Sequence, residues 1–322
     1  MKIFITGGQG FIAGRLAEHL YLKSHSITIG TRNVNHNLLL NKKIKVIVIN
    51  WSDLSTLKDA LRGIDLIIHA AGPNSVSSVN FHSETLHFSK DGTANLLNAA
   101  WNNQINKIIY LSTAHVYSAP LVGTVNEDTI LNNKHPYAIS HTIVEDQIIG
   151  AKKRYNIDSL IFRISNSFGQ PISKKTDCWN ILINDICKQA VLTKKIIIKS
   201  KISTVRNFIA LSTVLNAIEF FIEKLDSKNN RSDIINLGEK ESLSIEEVVN
   251  IIIERTNNIM GFSPEVIMQN SYSDKISNKN EKKTIKEYLD YQTTKLQIEG
   301  FNNYFPIKDE VDNLISYCNE NF

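Results

Sequence analysis

Residues 1–14 read MKIFITGGQGFIAG, and the fold of the chain follows from them. Ile3, Phe4 and Ile5 make a short apolar strand that stops at Thr6 and Gly7, and from Phe11 the apolar spacing turns helical through Leu16 and Leu20. Glycines sit at the joint. Gly7, Gly10 and Ala13 give G-x-x-G-x-x-A, so the backbone can approach a ligand and the free N–H groups of the next helix face its negative charge. A strand, a tight turn and a helix in that order predict a cradle for a dinucleotide pyrophosphate. A tight turn without a ligand is the reading for a glycine pattern standing alone.

Outward from this unit, strand-length apolar runs recur at Ile27 to Ile29, Val46 to Ile49, Leu66 to Ile68, Ile108 to Leu111 and Leu160 to Phe162. Helical spacing fills the gaps at Leu54 to Leu61, Leu86 to Trp101 and Tyr137 to Ile149. Fully apolar strands alternating with helices predict an α/β chain with a doubly wound parallel sheet of the Rossmann type. Past Gly169 the rhythm breaks. A helix is expected near Cys178 to Ala190, a strand at Ile196 to Ile198, a helix from Thr213 to Leu225 capped by Ser212, a strand at Ile234 to Leu237, and a helix from Ile245 to Thr256 with Ser244 and Glu247 as a capping box. The expected division is a dinucleotide-binding domain over 1–165, with 203–237 returning to it, and a smaller mixed α/β substrate domain over 166–202 and 238–322. Tyr272 to Lys286 is polar and reads as a solvated loop.

Composition sets wide bounds. With 322 residues, 42% apolar, the chain can bury an ordinary core, and no apolar run approaches the roughly 18 residues of a membrane span. The apolar start is cut by glycines, unlike a signal peptide, so a cytoplasmic protein is expected. A net charge of +4 with scattered basic pairs calls for neither nucleic acid nor a membrane surface. Cys178, Cys187 and Cys318 match no metal or disulfide spacing and read as buried or idle thiols, and no metal is expected.

Two residues bear on which dinucleotide is held. The acidic residue that reads the adenosine ribose in NAD binders stands about 20 residues past the glycines. Here the chain has Gly30-Thr31-Arg32-Asn33. A guanidinium pairs with a phosphate, so Arg32 and the missing acid argue for the 2′-phosphate of NADP over NAD. Asp53 is placed to touch the adenine edge; it could equally cap the helix that starts at Leu54, and the cap does not exclude the adenine contact.

By this point the chain resembles the extended short-chain dehydrogenase/reductases, the NAD-dependent epimerase/dehydratase type acting on nucleotide sugars. The likeness rests on the opening T-G-G-x-G-F-I, His69-Ala70-Ala71-Gly72, Gly92-Thr93, Leu111-Ser112-Thr113 running to Val116-Tyr117, and Pro136-Tyr137. It continues through Arg163 to Gly169, Arg206-Asn207-Phe208-Ile209, Asn236-Leu237-Gly238, and Thr294-Lys295 with Gly300-Phe301. The resemblance implies that Gly7, Gly10, Phe11, Ile12, Ala70 and Ala71 hold the cofactor together with Tyr137 and His141. It also implies that Tyr137 exchanges a proton with the substrate oxygen, that Thr113 orients that oxygen, and that Asn166 and Arg206 hold the nucleotide diphosphate.

One departure stands out. Four residues past the tyrosine the family carries lysine, and this chain carries His141. Positions i and i+4 share a helix face, so His141 points where the lysine would. An unperturbed histidine titrates near 6.5 against about 10.4 for lysine, so most of the charge that lowers the tyrosine pKa is missing at neutral pH. Oxidising an alcohol needs the phenolate, whereas reducing a ketone needs the phenol. His115 is a further proton source on the substrate side. Ala114 and His115 replace the acidic pair of the dehydratases, which argues against 4,6-dehydration. The sequence therefore predicts an NADPH-dependent reductase of a nucleotide-linked 4-keto-sugar serving polysaccharide synthesis. The alternatives are a nucleotide-sugar 4-epimerase with a tightly held cofactor and a non-catalytic binding protein. The family's habit of pairing through the helices beside the tyrosine implies a homodimer.

Overall fold

The computed structural model describes residues 1–32, 43–227, 232–269 and 288–322. Asn33 and the polar stretch Tyr272 to Lys286 lie outside the described residues. Seven parallel strands form the main sheet, in the order Ser232–Leu237, Asp158–Ile164, Lys107–Thr113, Leu66–His69, Lys2–Thr6, Ser26–Thr31 and Lys45–Val48. Side chains alternate between its faces. Ile3, Ile5, Ile109 and Leu111 pack with Leu16, Val214 and Phe221 from the helices Phe11–Leu22 and Leu211–Ser227. Phe4, Ile67, Ile108 and Tyr110 pack with Leu57, Leu96, Val144 and Ile148 from the helices Leu54–Ala60, Thr93–Asn102 and Pro136–Tyr155. With helices on both faces, the chain adopts the doubly wound α/β class read from its sequence.

The strand order reverses between Lys2–Thr6 and Leu66–His69, whose last residues, Thr6 and His69, lie in register. A crevice opens beyond those carboxyl ends, as this topology requires. A second core gathers Phe168, Ile186, Phe208, Ile252 and Leu314 among the helices Leu182–Thr193, Ile245–Met260 and Ile307–Asn321. Beside it the strand Lys195–Ile198 pairs in parallel with Glu265–Met268.

Several elements differ from the sequence reading for local reasons. The helix expected over Leu86 to Trp101 is broken into His82–His87, a π-helical turn at Phe88–Gly92, and Thr93–Asn102. There Ser89 Oγ bonds the Thr85 carbonyl and Gln147 takes the Ser89 carbonyl, so side chains compete for the helical ladder. The helix expected from Cys178 starts at Leu182, because Cys178 sits in the preceding turns with its N–H on the Thr176 carbonyl. Ser212 does not cap the next helix, which already begins at Leu211. The buried carboxylate of Glu310, on the last helix, instead accepts from Ser212 N at 3.4 Å and brings negative charge to that N-terminus. Gly169, at φ +148°, makes room for it: a Cβ there would lie 2.1 Å from Glu310 Oε1. Ser244 and Glu247 do form their capping box, and the helix ends on Gly261 at φ +74°.

The helix Pro136–Tyr155 is the element that carries the candidate chemistry, and its placement is over-determined. Pro136 opens it, and the His135 ring accepts the Tyr137 N–H at 3.2 Å. It packs on the sheet face presented by Tyr110 and Ser112, so residues four apart, His141 and Glu145, meet those two side chains. Ser112 Oγ donates to Glu145 at 2.5 Å, and Arg163 donates to the same carboxylate through Nη2 at 2.7 Å and Nε at 3.1 Å. Arg163 also donates to the Tyr117 hydroxyl at 3.0 Å, which in turn donates to Asn236 Oδ1 at 2.6 Å. Both ions are almost sealed, at 4% and 1% side-chain exposure. Removing one partner would leave the other charge buried and uncompensated. Glu145→Ala is therefore expected to lower stability by about 3–5 kcal/mol in urea unfolding; a loss under about 1 kcal/mol, the value of a surface pair, would contradict the clamp.

Candidate active site

The crevice is a cleft of about 710 Å³, walled by Gly7, Gly10, Arg32, Trp51, Ala70 and Ala71 among others. Gly7 is held at φ +67°, and a Cβ on it would lie 2.8 Å from Ala71 Cα. The backbone thus closes on itself where only glycine fits. The helix Phe11–Leu22 starts at Gly10 with no side-chain cap and no acid in its first turn. Its opening N–H groups, those of Phe11 and Ile12 included, are left for a ligand, while both side chains pack against the core. This uncapped helix end behind a glycine cradle fits a pyrophosphate.

At the adenosine end, Arg32 is exposed on the cleft wall, and no carboxylate pairs with it among the described residues. Asp53 forms its expected helix cap. It accepts from Ser55 N at 2.9 Å and from Ser55 Oγ at 2.7 Å, and it does not line the cleft. Trp51 stands on the wall in its place, braced edge-on by Phe88 with ring centroids 4.8 Å apart.

A second cluster lies one strand over. Thr113 ends the strand Lys107–Thr113 and is only 6% exposed. Burial pushes the Tyr137 phenol above its ordinary pKa, and the Thr113 hydroxyl facing it offsets part of that push. No cation contributes. His141 packs edge-on against Tyr137, centroids 4.6 Å apart, and its Nδ1 lies 2.7 Å from the Tyr110 hydroxyl. Burial, with a smaller push from His115, drives the His141 pKa down to about 3. The imidazole at the lysine position is therefore neutral at physiological pH. His69 behind it is also pushed down to about 3, by burial and then by His141.

On the substrate side, His115 is exposed, with its ring centroid 6.5 Å from that of Tyr137. Desolvation by the surrounding walls and then Arg206 lower its pKa, against a pull upward from Asn166. Arg206 is partly buried with no carboxylate partner among the described residues, and burial alone lowers its pKa. A desolvated, unpaired guanidinium is a ready anion site. Asn166 is engaged by protein: its Nδ2 donates to the Asn207 carbonyl at 2.8 Å, and its side chain lies against His115. The structure thus brings Gly7, Gly10, Arg32, Ala70 and Ala71 to one cleft and Thr113, Tyr137, His141, His115 and Arg206 to an adjoining cluster. Trp51, Tyr110, Glu145 and Arg163 were not assigned roles from sequence. The alternation along Lys107–Thr113, which turns Tyr110 and Ser112 toward the same helix, was the signal for two of their contacts.

The three cysteines are buried and unpaired, and burial pushes the Cys178 and Cys318 thiols up to about 12. Among the described residues no cluster of His, Cys, Asp or Glu could hold a metal, and no helix is long and apolar enough to cross a membrane.

Known proteins resemble this chain in sequence and in fold. A family model described as the NAD dependent epimerase/dehydratase family matches residues 3–238. The chain belongs to that family. Among its members, a UDP-N-acetyl-alpha-D-glucosaminuronate decarboxylase of Bacillus cytotoxicus is 28% identical over 271 residues, 80% of each chain. A putative UDP-glucose 4-epimerase of Methanocaldococcus jannaschii is 24% identical over 99% of each chain. The UDP-glucose 4-epimerase of Thermus thermophilus, solved in complex with NAD, shares the fold with a TM-score of 0.78 at 20% identity over 99% of each chain.

The two buried histidines predict a pH dependence. Folded, they stay neutral down to about pH 3, whereas in the unfolded chain they protonate near 6.5. The unfolded state therefore binds more protons between those values, and stability rises with pH through the window. The contribution is complete above about pH 6.5 and is lost as pH falls, by about 1.4 kcal/mol per pH unit for each histidine. Urea midpoints should fall steadily from pH 7 to 5; a flat profile would show that these rings are not held neutral.

Proposed function

We propose that this chain is an NADPH-dependent reductase of a nucleotide-linked 4-keto-sugar. The observation that carries the direction of reaction is the pairing of a neutral His141 with a Tyr137 phenol whose pKa is raised. Taking a proton from an alcohol would first require the phenolate, which costs roughly 4 kcal/mol at pH 7 even for a phenol of pKa near 10. Burial adds to that cost. Giving a proton to a ketone oxygen uses the form already present.

A reduced nicotinamide, when bound, supplies the hydride to the keto carbon. Tyr137 donates its phenolic proton to the oxygen, so the carbonyl becomes an alcohol and the tyrosine is left to be reprotonated from the cleft. Thr113 orients that oxygen beside the phenol, and His141 holds the nicotinamide ribose. Arg206 takes the substrate diphosphate through its planar fork. Arg32, on the cleft wall without an acidic partner, supports NADP over NAD, although the structural relatives solved with a dinucleotide hold NAD. Function in surface polysaccharide synthesis and a homodimeric state belong to the same reading.

The names of the relatives favour a second reading, a 4-epimerase that oxidises and re-reduces its sugar on a retained cofactor. The two differ in what happens to the cofactor. Incubated with a nucleotide-linked 4-keto-hexose, the purified protein should convert one NADPH to NADP per sugar reduced. Interconversion of 4-epimers without net cofactor consumption would replace the proposal with the second reading.

Tyr137→Phe should lower turnover by about 10²- to 10⁴-fold. Biological activity that survives this replacement would support the non-catalytic reading and remove both enzymatic ones. Arg32→Asp should invert the preference between NADPH and NADH in binding titrations. Equal affinity for the two in the unmodified protein would defeat the Arg32 argument.

A further inference from the structure

We infer that Tyr110 is a positioning residue for His141: its buried hydroxyl holds Nδ1 as an acceptor, fixes the Nε2–H tautomer, and leaves that N–H facing the nicotinamide ribose. The inference deepens the proposed function and rests on its reading of His141 as the residue that holds the ribose.

The tautomer follows from counting donors. Tyr110 is 2% exposed, and its hydroxyl meets Nδ1 of His141 at 2.7 Å as its sole partner among the described residues. If Nδ1 carried the proton, the phenol would accept it and its own O–H would be buried without an acceptor. An unmet buried donor is more costly than an unmet phenol lone pair. The phenol therefore donates, Nδ1 accepts, and the ring proton resides on Nε2. Nε2 has no protein partner among the described residues, yet it is absent from the sealed, unsatisfied atoms, which include Nε2 of His69. It therefore keeps some accessible surface, consistent with the 9% exposure of His141.

The Tyr110 ring is itself held in place. His69 stacks on it, centroids 5.4 Å apart and planes 29° from parallel. His69 is fixed in turn by Thr6, whose Oγ1 lies 2.8 Å from Nδ1 and accepts the N–H groups of Ala70 and Ala71 at 3.0 Å each. With two donors already on Oγ1, the Thr6 proton goes to His69 Nδ1. The run Thr6, His69, Tyr110, His141 thus ties the cradle that fits a pyrophosphate to the ring beside Tyr137. Where the family's lysine would present a flexible ammonium with three donors, this chain presents one neutral N–H whose direction is set by the residue beneath it.

Nitrogen-15 spectra of histidine-labelled protein test the assignment, with the His141 signals identified by their loss in His141→Gln. The expected result is a single Nε2–H tautomer for His141 in the unmodified protein. In Tyr110→Phe, which keeps the ring stack, the tautomer should become mixed and the NADPH dissociation constant should rise about 3- to 10-fold. A wild-type spectrum showing Nδ1–H overturns the inference without any variant. So does a Tyr110→Phe protein with unchanged tautomer and unchanged NADPH affinity. His141→Gln separates the two layers: if it leaves NADPH affinity unchanged, the reading of His141 as a ribose ligand fails. If it weakens binding while Tyr110→Phe does not, only the role of Tyr110 fails.

Discussion

The buried ion pair between Glu145 and Arg163 is the interaction on which the candidate site depends. It joins the helix carrying Tyr137 and His141 to the strand Asp158–Ile164, and Ser112 adds the strand that ends in Thr113. An ion pair this deep is weak evidence of net stability, since apolar residues of similar volume often serve as well. Its value lies in direction. A carboxylate that must face both a guanidinium fork and a serine hydroxyl leaves the helix little freedom to rotate or slide. Tyr137 and His141, two turns and one turn before Glu145, inherit that fixed register.

With the register fixed, electrostatics decide what the site can do. The space beside Tyr137 holds an imidazole that burial keeps uncharged, and behind it a second neutral histidine stacked on a tyrosine. Such a run of aromatic and imidazole rings excludes water and penalises any charge placed within it, the tyrosinate included. Arg206 lies on the substrate side and acts on His115 rather than on Tyr137. The arrangement suits a phenol that gives up its proton to a ketone and regains it afterwards.

Much of this was legible in the sequence because it depends on local pattern. The glycine cradle, the alternation of apolar strands and helices, and the Ser244 capping box are short-range features, and all three are present in the structure. The neutral state of His141 was only half legible. Spacing placed it at the lysine position, but its depth of burial and its bond to Tyr110 depend on strands brought together from distant parts of the chain. Glu310 shows the same limit: the sequence offers Ser212 as a cap, yet the group that meets the Ser212 N–H arrives from a helix 98 residues later. Asp53 and Trp51 were separable only by the path of the backbone after the strand Lys45–Val48, which turns the tryptophan to the cleft and the aspartate to a helix end.

The central claim is that Tyr137 works as a neutral phenol beside an uncharged His141. Its ionisation can be read directly from the ultraviolet difference absorbance between the unmodified protein and Tyr137→Phe across a pH series, with NADP bound to both. The account predicts no phenolate from Tyr137 below about pH 10, its ordinary value. A phenolate appearing near neutral pH would show that the site supplies the missing positive charge by another route, and would contradict the account.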